Sequence, residues 1–587
     1  MNYEISEAEQ VDLKIRFLEH NLQQMRLKLD ETVTVNTQSG KIKGAKRRTI
    51  YNDVYCSFEK IPYAQPPVGE LRFRAPKPVV AWKHVRDCTH FGESPFQHSV
   101  IDRSVVGAED CLFLNVYTNN IKPSKPRPVM VWIYGGGFRL GEASRDWYAP
   151  DYFMKKDVVL VTVQYRLGAL GFLSLTDPNL HIPGNAGLKD QILALKWIKR
   201  NCSSFGGNPD CITIFGESAG GCSVALLMLT EQTRGLFHRA IAQSGVATVS
   251  WGIGNTGKRA FALAKAAGYT GDFNEPKILK YLLQCTAEEI TNAQQYCLTP
   301  EDMNSMEMLA FGPCAEPYMT QHTVLLKPTE ELFAQTWSNS VPLLLGSTSS
   351  EGLLFKPILT GMPEFVEQIL KNFTSLLPPG TFTQRDSPEA LEKASKLRAA
   401  YIEGNTASLE VFYDVMGHLY FWHPLQKTIN LRLQHAKKAP TYLYRYDFDS
   451  EKLIYPFRYM WQGRGVRGVA HADELAYLFH SVLGRPMERN SREYRNIERM
   501  IGLWTTFAET GNPNTGKING MKGIKWRPLR SGDKALKCLN ISDELKFIDL
   551  PEMPKLKVWQ ELYSTHREIP EKTAEIVDFT IYAKSNL

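Results

Sequence analysis

The sequence lacks the two signals that would place a chain in or across a membrane. No apolar run reaches the length of a transmembrane helix. The N-terminus shows no basic region followed by the short apolar stretch of a secretory signal. We therefore expect an intracellular protein, either cytoplasmic or peripherally associated with a membrane. In that setting the sequons at Asn201, Asn372 and Asn540 have no physical meaning, because glycosylation requires the secretory route.

Clustered cysteines and a strong charge of either sign are also missing. The 10 cysteines are scattered without C-x-x-C spacing, so we expect neither a metal site nor a disulfide-dense scaffold. The net charge of +7 is small for 587 residues, and Lys46-Arg47-Arg48 forms a single short basic cluster. We interpret this cluster as a solvated turn after a hairpin strand, and we expect no nucleic-acid partner.

The chain contains no internal repeat and no linker rich in proline, glycine or serine. Its length alone would suggest several domains. Without linkers, we predict one large domain with insertions over residues 31–565. A separate helix within residues 1–30 precedes this domain, and a tail over residues 566–587 follows it.

An amphipathic helix is predicted over residues 6–29, where Ser6 and Glu9 match a capping box. This helix would either pack on the main domain, pair with another helix, or contact a membrane or lipid surface. Its apolar residues recur at steps of three and four and form one stripe, namely Val11, Ile15, Leu18, Leu22, Met25 and Leu29.

The main domain is predicted to have an α/β fold with a mostly parallel sheet covered on both faces, because apolar strands alternate with helices. A hairpin is expected around Ser39-Gly40, and a helix over Gly187–Cys202. In such sheets the chemistry lies at the carboxyl ends of the strands. The predicted strands are Pro128–Phe138, Asp157–Arg166, Cys211–Ser218, Arg239–Gly245, Val341–Gly352 and Pro440–Asp449.

The stretch ITIFGESAGGC, Ile212–Cys222, crowds small residues around Ser218 where a strand becomes a helix. A turn this tight forces its central residue into an unfavourable backbone conformation and needs small neighbours. The pattern is the nucleophile elbow G-x-S-x-G, which exposes a serine hydroxyl beside the first N–H groups of a helix. Gly135-Gly136-Gly137 follow another buried strand and can supply N–H groups to a developing negative charge.

A serine nucleophile needs a base and an orienting acid, which follow it along the chain in the order acid, then histidine. His471 is the favoured base, because it follows a glycine-containing loop and opens a helical pattern. Glu351 ends a strand among small residues and is the favoured acid. For the acid, the alternatives are Asp447, Asp449 and Asp473. The other histidines that follow Ser218 are also candidates for the base, and three of them, His418, His423 and His480, lie in aromatic helical segments where a core histidine is expected. The remaining four are His238, His322, His435 and His566.

Seven motifs together resemble the type-B carboxylesterases of the cholinesterase/carboxylesterase family, with insect α-esterases as the nearest branch. The resemblance spans about residues 30–565. The motifs are IPYAQPPVGELRF (Ile61–Phe73), EDCLFLNVY (Glu109–Tyr117), YGGGF (Tyr134–Phe138), GNAGLKDQ (Gly184–Gln191), FGGNPDCITIFGESAGG (Phe205–Gly221), the strand end at Glu351 and GVAHADEL (Gly468–Leu475).

The resemblance implies an α/β-hydrolase fold, with a large mostly parallel sheet and inserted loops and helices that form a gorge. It implies Ser218, Glu351 and His471 as a catalytic triad and no cofactor. It also implies oxyanion-hole donors at Gly136, Gly137 and Ala219.

Three positions bear on how far the resemblance extends. The family usually has glycine where this chain has Lys60, which leaves the backbone conformation there open. Many carboxylesterases have histidine in place of Tyr134, although cholinesterases also have tyrosine. Cys88 and Cys111 match a family disulfide, whereas an intracellular location favours free thiols.

The resemblance also implies an apolar acyl pocket, which favours lipophilic or fatty-acyl esters as substrates and organophosphates as slow-turnover inhibitors. The absence of an aromatic cage argues against acetylcholine. The alternatives are a lipase, a juvenile-hormone esterase, and a catalytically weak binding or adhesion protein of the same fold. The pocket residues are Trp251, Met308, Leu309, Phe355, Tyr420, Phe421 and Phe457.

Overall fold

The computed structural model describes most of the main domain. The predicted helix over residues 6–29, the tail over 566–587 and Phe457 lie outside the described residues, and the division into three segments stays a prediction. The described residues are 31–252, 258–299, 302, 307–357, 363–371, 373–377, 384, 386–402, 408–452, 458, 467–482, 484–514, 518, 521–533 and 535–564.

The described chain has fifteen strands, of which thirteen form one mixed sheet and the other two pair separately. The strands are β1 (Glu31–Thr37), β2 (Gly40–Arg48), β3 (Val54–Pro62), β4 (Arg86–Asp87), β5 (Gln97–His98), β6 (Val105–Val106), β7 (Phe113–Thr118), β8 (Arg127–Ile133), β9 (Val159–Val163), β10 (Gly207–Glu217), β11 (Arg239–Gln243), β12 (Leu343–Thr348), β13 (Thr441–Tyr446), β14 (Lys537–Ile541) and β15 (Leu545–Asp549).

The strand order in the main sheet is β1-β2-β3-β7-β9-β8-β10-β11-β12-β13-β14-β15, with β4 beside β2. The seven strands from β9 to β14 in this order are parallel to one another. Antiparallel strands extend the sheet at both edges. Strands β5 and β6 pair separately. The architecture is that of an α/β hydrolase, as the sequence predicts.

Helices connect and cover the parallel strands, as this topology requires. In the described residues they are α1 (Arg145–Tyr148), α2 (Gly168–Phe172), α3 (Ala186–Asn201), α4 (Ala219–Leu229), α5 (Lys258–Ala266), α6 (Glu275–Gln284), α7 (Ala287–Ala293), α8 (Thr329–Leu332), α9 (Pro363–Lys371), α10 (Pro388–Ile402), α11 (Leu409–Gly417), α12 (His423–His435), α13 (Arg492–Thr510) and α14 (Met553–Ser564). A π-helical turn, His418–Trp422, joins α11 to α12.

The central strands are buried on both faces, which explains their continuous apolar sequences. Every residue of β9 and β12 is buried, and so is every residue of α4, the helix that follows the elbow. No helix in the described ranges has the length and apolar character needed to cross a bilayer.

The predicted strands and the predicted helix are confirmed, with shorter bounds at several ends. The hairpin is confirmed with Thr37 opposite Gly40. The interpretation of Lys46-Arg47-Arg48 as a turn is wrong, because all three residues lie in β2. Lys46 pairs with Glu31, and Arg47 donates to the carbonyl oxygen of Thr89 at 2.6 Å.

Lys60 keeps the left-handed backbone conformation that a glycine would adopt most easily, with φ at 58°. The register between β3 and β7 shifts between Phe58 and Ile61, so the residue lies in a β-bulge. Its N–H donates to Oδ1 of Asn115 at 3.1 Å. Lys60 therefore adopts the left-handed conformation within this bulge although it carries a side chain.

Cys88 and Cys111 are both buried and are free thiols in the structure. Burial raises the pKa of the Cys88 thiol to about 12. The disulfide that the resemblance implies between them is therefore not formed in the described chain, as expected for an intracellular location.

Candidate active site

Ser218 occupies the sharp turn between β10 and α4. Its φ of 56° and ψ of −123° are strained for a residue with a side chain. Gly216 and Gly220 permit the turn: a Cβ at either position would lie 2.6 Å or less from the carbonyl oxygen of Ile133. The strand and helix therefore cross too closely for larger residues, which is the reason for the small residues around Ser218.

The glycine loop after β8 lies directly beside this turn. A Cβ on Gly135 would be 2.9 Å from the Cβ of Ser218 and 2.6 Å from the carbonyl oxygen of Glu217. Gly136 and Gly137 both have positive φ, at 109° and 61°. Glycine is required at Gly135 by close approach, and it is favoured at the other two positions by backbone conformation.

Three backbone N–H groups near Ser218 remain available to a ligand. Ala219 begins α4, so its N–H has no acceptor within the helix. Within the described ranges, the N–H groups of Gly136, Gly137 and Ala219 donate to no backbone oxygen. Such unsatisfied donors stabilise a negative charge that develops next to them.

Glu351 and His471, which are 120 residues apart in sequence, are in direct contact. His471 Nδ1 lies 2.6 Å from Glu351 Oε2. Because an ionised carboxylate only accepts hydrogen bonds, Nδ1 carries the proton in this pair. In the neutral imidazole, the other ring nitrogen, Nε2, is then the unprotonated one and can act as a proton acceptor.

The orientation of Glu351 is set by two further donors. Its Oε1 accepts hydrogen bonds from Ser244 Oγ at 2.6 Å and from the N–H of Thr348 at 2.7 Å. The residue is 1% exposed, so water competes little for these bonds. The carboxylate therefore presents one defined oxygen to the imidazole of His471.

The other acids considered for this role bind arginines in the structure. Asp447 pairs with Arg445 at 2.8 Å. Asp473 pairs with Arg458 at 2.7 Å, and Asp449 contacts the same guanidinium at 3.2 Å. Burial raises the pKa of Asp473 to about 7, opposed by the guanidinium charge. The geometry thus selects Glu351 among the four carboxylates.

The alternative histidines are held by other contacts. His418 Nδ1 lies 2.8 Å from the carbonyl oxygen of Asp414. The ring of His423 stacks on Tyr563 with centroids 4.3 Å apart, and burial lowers its pKa to about 3. The ring of His480 packs edge-on against that of Tyr152 with centroids 6.4 Å apart. His471 is therefore the candidate base that the geometry supports.

Glu217 was not singled out in the sequence, yet it contacts His471. Its Oε1 lies 3.0 Å from His471 Nε2, and the side chain is 4% exposed. Burial raises the pKa of Glu217, an effect that the His471 charge opposes. Burial alone would lower the pKa of His471, but the Glu217 and Glu351 carboxylates raise it overall. Its place in GESAG, next to Ser218, is the signal that could have identified it.

Glu474 is a second buried carboxyl near the imidazole that sequence reasoning passed over. Its Oε1 accepts from Gln243 Nε2 at 3.2 Å and from the Tyr444 hydroxyl at 3.3 Å. Burial raises its pKa, and the negative charge of Glu351 raises it further. The base candidate is thus surrounded by acidic groups, an arrangement that stabilises an imidazolium.

Four of the predicted pocket residues form a connected aromatic wall beside the base. Trp251 donates its Nε1–H to the carbonyl oxygen of Tyr420 at 2.9 Å. The ring of Phe421 lies 4.7 Å from that of His471 and 6.1 Å from that of Trp251. Phe355 packs on Tyr420 with centroids 5.4 Å apart. The π-helical turn carries both Tyr420 and Phe421, and such turns are frequent at functional sites.

Leu309 extends this apolar surface to the glycine loop. A Cβ on Gly137 would meet only Leu309 Cδ2, at 3.6 Å. Met308 is adjacent in sequence and partly buried against the core. Phe457 lies outside the described residues, so its predicted place in the pocket stays a prediction.

Comparisons with known proteins identify the family of the chain. A sequence profile of the carboxylesterase family matches residues 31–559. Esterase B1 of Culex pipiens is 36% identical over 537 residues, covering 91% of this chain and 98% of that protein. Juvenile hormone esterase of Tribolium castaneum is 33% identical over 506 residues, covering 82% of this chain and 84% of that protein.

A solved structure shows the same fold. The crystal structure of juvenile hormone esterase from Manduca sexta, with OTFP covalently attached, matches with a TM-score of 0.77 and 28% identity, covering 91% of this chain and 100% of that chain. Together with the sequence relatives, it supports carboxylic-ester hydrolysis as the activity. The profile match extends over nearly the whole main domain, and this protein therefore belongs to the carboxylesterase family.

Proposed function

We propose that the chain is a serine carboxylesterase that hydrolyses esters through an acyl-enzyme formed on Ser218. The observation that carries the proposal is the 2.6 Å contact between His471 Nδ1 and Glu351 Oε2, in the same site as a strained elbow serine. The second ring nitrogen, Nε2, lies 3.0 Å from Glu217 Oε1 in the structure, and we propose that it takes the serine proton during the reaction. The arrangement of roles is that of a Ser-His-acid triad.

In the proposed reaction, Ser218 Oγ attacks the ester carbonyl while His471 Nε2 accepts its proton. The N–H groups of Gly136, Gly137 and Ala219 donate to the oxyanion of the tetrahedral intermediate. His471 then gives the proton to the departing alcohol. Water then attacks the acyl-enzyme while His471 again acts as the base, and His471 returns the proton to Ser218 Oγ as the acid is released. Glu351 stabilises the imidazolium in both steps.

For the acyl group, the aromatic wall and Leu309 favour an aliphatic chain. A lipophilic or fatty-acyl ester is therefore the proposed substrate class, and organophosphates are proposed as slow-turnover inhibitors of Ser218. The covalent adduct in the Manduca sexta structure supports covalent chemistry in this fold. Juvenile hormone esters are a second candidate, favoured by the names of two relatives.

A panel of p-nitrophenyl esters of graded acyl length tests the substrate class. We expect kcat/KM to rise from acetate to medium chains, because each added CH₂ that enters an apolar pocket contributes about 0.8 kcal/mol, or roughly fourfold. Juvenile hormone is measured in parallel by product extraction. A kcat/KM that falls steadily with chain length would exclude a pocket for a long aliphatic acyl chain. If juvenile hormone were the best substrate, the second candidate would be favoured.

Gly137→Ala is expected to lower kcat/KM by about a hundredfold, the usual effect of losing one oxyanion donor. Alanine has room beside Leu309, but a φ of 61° is strained for it. Relief of that strain would move the N–H away from the oxyanion. The effect is measured by steady-state kinetics together with thermal unfolding.

Gly235→Ala is the matched control for this prediction. Gly235 also has positive φ, at 78°, and a Cβ there would meet nothing within 4 Å. We expect a similar small loss of stability and unchanged turnover, because Gly235 lies away from Ser218 in the chain segment before β11. Unchanged kcat/KM in Gly137→Ala would show that the N–H of residue 137 is not part of the oxyanion hole.

Glu217→Gln is expected to move the acid limb of the kcat/KM profile to lower pH. His471 must be neutral to act as base, so activity rises with pH through its pKa. The Glu217 carboxylate raises that pKa above the ordinary value, and its removal lowers the pKa. The measurement is kcat/KM from pH 5 to 10 in both proteins.

Glu474→Gln serves as the control, because its described hydrogen bonds join Gln243 and Tyr444 rather than the imidazole. We expect a shift in the same direction but smaller. If both variants keep the wild-type pH profile, the acid limb of kcat/KM does not reflect the ionisation of His471.

A further inference from the structure

A groove with a volume of about 420 Å³ lies along α3, among residues distinct from those placed around Ser218. Ile192 and Leu193 are apolar residues of its lining, and both are largely buried. Leu236 and Pro76 add further apolar surface. The volume is within the range of small-molecule binding sites.

One face of α3 also brings positive charges to this groove. Two of the lining lysines have acidic partners. Lys189 Nζ lies 2.9 Å from Glu316 Oε2, and Lys199 Nζ lies 3.1 Å from Asp210 Oδ1. Their charges are therefore balanced within the protein.

Lys196 and Arg200 have no such balance. They are four residues apart on the same helix face, and no carboxylate of the described chain lies within 4.0 Å of either side-chain nitrogen group. Arg200 directs its Nε–H to the carbonyl oxygen of Lys196 at 3.1 Å. Like charges at this spacing destabilise a helix. Burial lowers the pKa of Lys196, and the Arg200 charge lowers it further.

His322 completes the polar part of the groove. Burial lowers its pKa, and the charges of Lys189 and Lys196 lower it further. These effects disfavour a positive charge on the ring, whose Nε2 lies 3.1 Å from Gln321 Nε2. An anion at this place would relieve the repulsion between Lys196 and Arg200.

We propose that this groove binds the carboxylate of a free long-chain fatty acid, with the head group at Lys196 and Arg200 and the chain along Ile192, Leu193 and Leu236. Charge complementarity selects an anion, and the apolar lining selects an aliphatic one. Charge-assisted hydrogen bonds to a carboxylate are the strong ones in proteins. The site is separate from the ester site and does not depend on the proposed function.

The first test is acetylation of lysines by acetic anhydride in the full-length protein, with and without laurate, read by peptide mass spectrometry. At ten times its Kd, laurate is expected to slow acetylation of Lys196 about tenfold, because the free fraction falls accordingly. Lys199, which Asp210 already holds, is the internal reference and should change little. Binding of laurate near Ser218 would leave the Lys196 rate unchanged, so it cannot imitate the expected result.

Methyl laurate, which has the same chain and no charge, should give no protection at Lys196. Equal protection by both compounds, or none by laurate, would overturn the proposal. Vesicles of anionic phosphatidylglycerol form a separate arm. Protection by vesicles alone would indicate that Lys196 and Arg200 bind a membrane surface, and this result would also overturn the fatty-acid proposal.

The second test is the laurate affinity of variants, measured by calorimetry. Lys196→Gln combined with Arg200→Gln should weaken binding at least tenfold, since two charge-assisted bonds are lost. Lys196→Arg should retain most of the affinity, and Lys199→Gln should match the wild type. All variants should hydrolyse a short-chain ester at the wild-type rate, which shows that they are folded. Undiminished laurate binding in the double variant would contradict the site.

Discussion

Replacement of Ser218 by alanine is expected to remove ester turnover and covalent labelling together. The expected loss in kcat is about a millionfold, as for other nucleophiles that act as part of a triad. The fold should persist, because alanine keeps the Cβ and the side chain of Ser218 is almost fully buried in a small space. Turnover is measured with a short-chain ester, and labelling with a fluorophosphonate by intact-protein mass.

Ser223→Ala is the matched control on the same helix. Ser223 is fully buried, and its Oγ lies 3.1 Å from Gln191 Nε2. Loss of that hydrogen bond should cost about 1 kcal/mol of stability and leave labelling intact. If folded Ser218→Ala protein were still labelled at another serine of the site, Ser218 would not be the nucleophile. A folded wild type that takes no label and turns over no ester would favour the binding-protein alternative.

Replacement of Glu351 by glutamine is expected to lower kcat by about ten-thousandfold with little change in KM. The physical reason lies in the two donors at Oε1, Ser244 Oγ and the Thr348 N–H. They require an acceptor, so the amide oxygen of glutamine will face them and its NH₂ will face His471 Nδ1. The imidazole must then carry its proton on Nε2, where it cannot accept the proton of Ser218.

Asp447→Asn is the control for this variant, because Asp447 pairs with Arg445 and lies outside the described contacts of His471. We expect near wild-type kcat. If Glu351→Gln kept full activity and one of Asp447→Asn, Asp449→Asn or Asp473→Asn lost most of it, that aspartate would be the residue that orients His471. Pre-steady-state kinetics would show whether the loss in Glu351→Gln lies in acylation, deacylation or both.

Much of the candidate site could be predicted from the sequence because its main elements are local. The elbow occupies five consecutive residues, and its glycines are required by one strand–helix crossing. The central strands were recognisable because burial on both faces makes them continuously apolar. The interpretation of Lys46-Arg47-Arg48 as a turn is wrong because the contacts of this cluster are not local in sequence. Lys46 pairs with Glu31 of another strand, and Arg47 donates to Thr89 in a distant segment.

By itself, the sequence determined the strand–helix alternation, the elbow at Ser218 and the glycine loop, since each follows from side-chain size and polarity over a few residues. Only the tertiary structure decided which acid meets His471. Adjacent parallel strands β10, β11 and β12 bring Ser218, Ser244 and Glu351 to one sheet edge. The tertiary structure also places Glu217 beside the imidazole and shows that Lys196 and Arg200 on α3 have no acidic partner in the described chain. Burial and ion pairing depend on residues that only folding brings together.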